Sequence, residues 1–111
     1  MAYEAHITRA EFWVHDDSPI TFEEIKALDL PDGFSTEKNC VATTKTPFGE
    51  ISADLGKCIV FTKTNGAKQY LVFTGGVPSF VMRSEEDARS FIALAEMLGA
   101  KVQGDDGEVY E

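Results

Sequence analysis

Apolar and polar residues alternate at the start of the chain, with Tyr3, Ala5 and Ile7 on one side and Glu4, His6 and Thr8 on the other. A period of two belongs to a strand with one buried face, so a first strand is expected over Tyr3–Arg9. Phe12, Trp13 and Val14 prolong the apolar content until His15-Asp16-Asp17-Ser18-Pro19, where acids and a proline mark a loop. Thr21-Phe22-Glu23-Glu24 then fits a capping box, and Ile25 and Leu28 give a short helix its buried stripe before Leu30-Pro31-Asp32-Gly33 ends it.

From Asn39 to Met82 the residues are β-branched and aromatic, broken by turn formers. This predicts a meander with strands at Asn39–Thr44, Glu50–Ala53, Cys58–Lys63, Gln69–Phe73 and Ser79–Arg83. Asp54-Leu55-Gly56 and Asn65-Gly66 are the expected turns, the second a type I′ hairpin turn, and Gly75-Gly76 with Pro78 makes a looser corner. Ser84 and the acids Glu85, Glu86 and Asp87 open a second helix, since carboxylates suit the positive end of a helix dipole. Ala88, Phe91, Ile92, Ala95 and Leu98 form its apolar stripe, and Gly99 is placed for a left-handed cap. Ala100–Gln103 and Glu108–Tyr110 read as closing strands around a Gly104-Asp105-Asp106-Gly107 turn. Runs of strands between two helices predict α+β. The expected form is an antiparallel sheet of about five to seven strands, the long C-terminal helix on one face and the short N-terminal helix near an edge. At 111 residues the expectation is a single acidic domain spanning 1–111.

Charge narrows the function more than composition does. The net charge is −9 and unevenly spread: residues 1–37 carry nine acids against two bases, 38–83 two against six, and 84–111 eight against two. Such a surface disfavours direct binding to nucleic acid or anionic membrane and attracts a basic protein. The apolar stretch around Tyr70–Phe73 is too short to cross a bilayer and the first residues lack a basic start, so neither a membrane span nor a signal peptide is expected. Cys40 and Cys58 form no C-x-x-C motif and read as buried thiols kept reduced in the cytosol.

Groups that could carry chemistry are few. His6 and His15 are the only histidines, too far apart in sequence for a local metal pair, and His6 reads as a partly exposed strand residue. Gly75-Gly76 lacks the lysine of a phosphate-binding loop, and Asp105-Asp106-Gly107-Glu108 lacks the alternating ligands of a calcium loop. No catalytic residue, metal or cofactor is therefore assigned. Trp13 and Tyr110 stand beside carboxylates, an arrangement suited to anchoring a basic partner. The partner-binding set expected is Trp13 with Asp16 and Asp17, and Tyr110 with Asp105, Asp106, Glu108 and Glu111.

The segments Tyr-x-x-His-Ile-Thr-Arg (Tyr3–Arg9) and Leu-Gly-Ala-x-Val-Gln-Gly-Asp-Asp-Gly-Glu-x-Tyr (Leu98–Tyr110) resemble the two ends of a group of small bacterial proteins. Some of these are similar to immunity partners in contact-dependent growth inhibition and related toxin systems. The resemblance implies a bacterial cytoplasmic protein and suggests that the two ends lie as neighbouring strands. Together with the charge it yields the leading expectation: an immunity protein that occludes the active site of a cognate basic toxin, a nuclease, and is a monomer or weak dimer in isolation. Two alternatives stand beside it: a small-ligand binder or enzyme using His6 in a sheet–helix cleft, and a phage-encoded acidic inhibitor of a nucleic-acid-binding defence complex.

Overall fold

The computed structural model describes residues 3–73 and 76–110, with the backbone alone at 42–44 and 55. The strands are β1 (Tyr3–Thr8), β2 (Phe34–Thr46), β3 (Gly49–Thr62), β4 (Lys68–Val72), β5 (Ser79–Met82), β6 (Lys101–Gly104) and β7 (Val109–Tyr110); the helices are α1 (Phe22–Lys26) and α2 (Glu85–Met97). Among the described residues the strands form one sheet in the order β2-β3-β4-β5-β1-β6-β7, and each pairing is antiparallel. The fold is α+β.

The sequence pattern explains where the core lies. Ala5 and Ile7 from β1, Phe80 from β5 and Val102 from β6 point to the face covered by Ala88, Phe91, Leu94, Ala95 and Leu98 of α2 and its cap. The Phe80 and Phe91 rings pack with centroids 4.3 Å apart. Ile20, Phe22 and Ile25 close the other part of this core. Thr21 Oγ1 accepts from Glu24 N at 3.2 Å, as the capping box requires. At the far end of α2, Gly99 has φ +64° and Ala100 N donates to Ala95 O at 2.8 Å, a left-handed helix end.

Three expectations need correcting. Glu50–Ala53 and Cys58–Lys63 are not two strands: Asp54-Leu55-Gly56 lies inside β3 as an irregularity opposite Cys40, because the residues that make turns also make bulges. Asn65-Gly66 is not a type I′ turn, since only Gly66 has positive φ (+90°); Lys63 N donates to Ala67 O at 2.7 Å across a wider loop. Cys40 and Cys58 are buried but joined in a disulfide, with 6.3 Å between Cα atoms. In the β2–β3 ladder Cys58 lies opposite Glu37 and Cys40 opposite Gly56, so the disulfide joins the two strands diagonally across the irregular stretch. The Gly75 half of the expected corner lies outside the described residues.

Beyond Cys58, where β4 pairing ends, β2 and β3 continue as a two-stranded arm that turns at Pro47-Phe48. Val41, Phe48 and Ile51 are exposed on it.

Candidate functional site

The most densely bonded polar cluster is built around β1. Because β1 lies between β5 and β6, His6 has Ser79 opposite it on one side and Gln103 on the other. Strand alternation sends Ala5 and Ile7 toward α2, and sends His6 and Thr8 to the opposite face. There the chain folds back over the sheet in a 3₁₀ turn, Trp13–His15. Gln103 holds that segment: its Oε1 accepts from Trp13 N at 2.8 Å, and its Nε2 donates to Glu11 O at 3.2 Å and Gly107 O at 3.0 Å. Thr8 Oγ1 donates to Asp16 Oδ2 at 2.6 Å. The Trp13 indole stacks on the His6 ring, 3.6 Å between centroids and 16° from parallel. His6 is left 3% exposed.

Both ring nitrogens of His6 are bonded. Nε2–H donates to Asp105 Oδ1 at 2.8 Å, and Nδ1 shares a 2.6 Å hydrogen bond with Ser79 Oγ, whose hydroxyl also reaches Val77 O at 2.9 Å. The second Asp105 oxygen accepts from Glu4 N at 3.0 Å. Asp105 thus ties the β6–β7 turn to β1 at two points. Tyr3 does the same one step further out, donating its hydroxyl hydrogen to Glu108 Oε1 and accepting from Asp106 N at 3.3 Å. The bond to Glu108 pushes the Tyr3 hydroxyl up to about 12. Burial, and then the Glu108 charge, raise Tyr110. Gly104 lies beneath them, where a Cβ would require the Glu108 carboxylate and the Tyr3 hydroxyl to move aside.

Of the residues expected at a binding surface, Trp13, Asp16 and Asp105 contact His6 or Thr8 on the face away from α2, while Glu108 and the Asp106 backbone meet Tyr3, and Tyr110 packs against the core on the α2 side. Asp17 is exposed beside Asp16, and Glu111 lies outside the described residues. Their roles are unequal. Asp16, Asp105 and Glu108 each hold a neighbour, whereas Asp17 and Asp106 are exposed. Trp13 is half-buried as a cover over His6, and its Nε1 is buried with no acceptor among the described residues. Tyr110 is half-buried against the core.

His6 departs from expectation in two ways. It is buried rather than partly exposed, and it stands on the sheet face away from α2 rather than in a sheet–helix cleft. The reason is Trp13, which covers it. Ser79, Gln103 and Tyr3 were not singled out as site residues by the sequence. Gln103 left one signal, a polar side chain next to Val102 in a strand whose far face looks open until the Trp13 segment is laid over it.

Beside this cluster is an open recess of about 520 Å³, lined by Ala10, Glu11, Phe12, His15, Gln103 and Gly107. Gly107 has φ +94°, and a Cβ on it would sit 2.7 Å from Phe12 Cε2. Gly107→Ala is expected to cost about 2–3 kcal/mol, roughly 1–2 from left-handed strain and the rest from moving the ring. Gly66→Ala, with φ +90° and nothing within 4 Å, bears the strain alone. Urea midpoints for the two variants should differ, and equal midpoints would remove the Phe12 contact from this account. Among the described residues no group of three or more His, Cys, Asp or Glu is placed to hold a metal ion.

Comparison with known families, curated proteins and solved structures gives no match. The site must therefore be read from its own chemistry. Its arrangement can present carboxylates around an aromatic cover on a rigid support, which suits recognition of cationic groups.

Proposed function

We propose that the protein is an immunity protein that binds a basic toxin domain, a nuclease, and occludes its active site with carboxylates standing where substrate phosphates would sit. The observation that carries this reading is the run of carboxylates Asp105, Asp106 and Glu108 in and beside the β6–β7 turn, with Asp16 and Asp17 following the Trp13 turn that covers the neighbouring strand. Asp16, Asp105 and Glu108 are each held by a hydrogen bond, which lessens the side-chain freedom lost on binding. A net charge of −9 speeds the encounter with a cationic partner, which matters when a lethal enzyme must be captured before it cuts. The resemblance of Tyr3–Arg9 and Leu98–Tyr110 to ends of bacterial immunity-like proteins adds to it, since those segments are the very strands that build the cluster.

No helix among the described residues is long and apolar enough to cross a membrane. The proposal places the protein in the cytoplasm of the cell it protects. The Cys40–Cys58 pair lies at the base of the arm, at the opposite side of the sheet from β6 and β7, so either redox state leaves the acidic end in place.

Asp17 and Asp106 are the clean probes, because both are exposed and neither side chain anchors the fold. Reversing both to lysine should slow association with the captured partner by roughly tenfold at low salt, with the difference shrinking as salt screens it. Stopped-flow association at two ionic strengths measures this. Unchanged rates with an unchanged midpoint of unfolding would take the acidic end out of the binding surface.

A further inference from the structure

We infer that β2 is a self-association edge, joining two copies of this chain into a symmetric dimer with one continuous sheet. The inference is independent of the toxin-binding proposal and concerns the opposite side of the sheet. β2 is the outermost strand there and runs thirteen residues, Phe34–Thr46, with no proline inside it. Its outer backbone groups have no strand beside them among the described residues, and an edge of this length invites pairing with a like strand.

Charge selects one register. When two copies of β2 run antiparallel about a twofold axis at Val41, Glu37 of each faces Lys45 of the other, and symmetry makes the pair twice. Glu37 and Lys45 are both exposed, and neither has an ion-pair partner among the described residues. Sliding by one residue in one direction sets Lys38 against Lys45 instead, a like-charge contact that disfavours the shifted pairing. In the favoured register Lys38 meets an uncharged position.

The same register accounts for the arm. Val41, 54% exposed, meets its own copy at the axis, and Phe48, fully exposed at the tip, is carried alongside the partner copy's Phe34 position. Phe34 packs at the rim of the core against Phe61, with ring centroids 4.7 Å apart, so the tip finds apolar surface. A lone two-stranded arm is marginal in water, and pairing of both arms gives a four-stranded ribbon. The irregular stretch between Glu37 and Val41 lies next to the axis, and beyond it Thr36 and Glu37 face Thr46 and Lys45 of the other copy.

The experiment is sedimentation velocity of the full chain over a concentration series, with Glu37→Lys and Lys45→Glu made singly. Each single reversal places two like-charge pairs across the axis and is expected to weaken dimerisation by about tenfold or more. An equimolar mixture of the two variants restores opposite charges at both positions, so a mixed dimer should form at concentrations where each variant alone is monomeric. Circular dichroism confirms that both variants fold; the double variant Glu37→Lys/Lys45→Glu, which restores the pairing within one chain type, gives a second reading if either single variant does not. A wild-type protein that stays monomeric to millimolar concentration overturns the inference. So does a dimer indifferent to both reversals, or an arm that pairs only with a different protein.

Discussion

Asp105→Lys should destabilise the fold by about 3 kcal/mol, whereas Asp106→Lys one residue away should stay within about 0.5 kcal/mol of the parent. Asp105 is the acceptor for both His6 Nε2 and Glu4 N. His6 is 4% exposed at its side chain and Asp105 37%, so the pair is sealed on one side and open to water on the other. Removing the carboxylate strands a buried ring N–H and a backbone N–H, and the lysine ammonium adds repulsion if the ring is charged. Open solvent on the aspartate side discounts the full cost of breaking a buried pair, which is why the expectation lies at the low end. Asp105→Asn should fall between the two, because one amide oxygen can satisfy only one of two donors. Urea unfolding of the three variants gives the order, and an Asp105→Lys protein as stable as Asp106→Lys would mean that the His6 contact holds nothing together. The same order also determines how binding data are read: a loss of affinity on reversing Asp105 mixes lost charge with a loosened β6–β7 turn.

What the sequence made legible was local. The period of two in Tyr3–Thr8 and the stripe from Ala88 to Leu98 assign a strand and a helix because each encodes its buried face in neighbouring residues. The capping box at Thr21 and the glycine end at Gly99 are local in the same sense. The closing turn at Asp105-Asp106 was also readable, and so was the meeting of the two chain ends, realised as the β1–β6 pairing. What stayed hidden depends on contacts far apart in sequence. His6 meets Asp105 across 99 residues, and Trp13 N meets Gln103 across 90. A histidine on the polar side of an alternating strand looks solvent-facing until a segment with no regular period is laid over it. The Cys40–Cys58 bond was missed for a related reason, since it joins two strands whose alignment residue spacing does not announce.

This separates two uses of acidity that composition alone merges. Glu24 is spent on Arg9, Glu23 on Lys57, Asp87 on Lys63 and Asp105 on His6. The Arg9 bond raises that guanidinium further, and Lys57 holds Glu23 below its usual range. Four carboxylates are thus committed to ion pairs, so the count of acids overstates what stands free on the surface.

Asp87→Ala is expected to cost about 3 kcal/mol at pH 7, and most of that cost should vanish in acid. Asp87 sits in the first turn of α2, 8% exposed. Its Oδ1 accepts from Lys63 Nζ at 2.8 Å and its Oδ2 from Arg83 N at 2.9 Å, while the Ser84 side chain makes no cap bond. Burial alone would raise this carboxyl, but the Lys63 bond and then the Arg83 amide outweigh it and hold Asp87 below the ordinary aspartate range. A depressed carboxyl contributes stability above its unfolded value, near 3.9, and loses it as pH falls through the lower folded value. The gap between parent and variant should therefore be widest at neutral pH and close progressively below about pH 4. Unfolding curves at pH 7 and pH 3 test this directly, since a gap of equal size at both would place the contribution in packing rather than in the charged form.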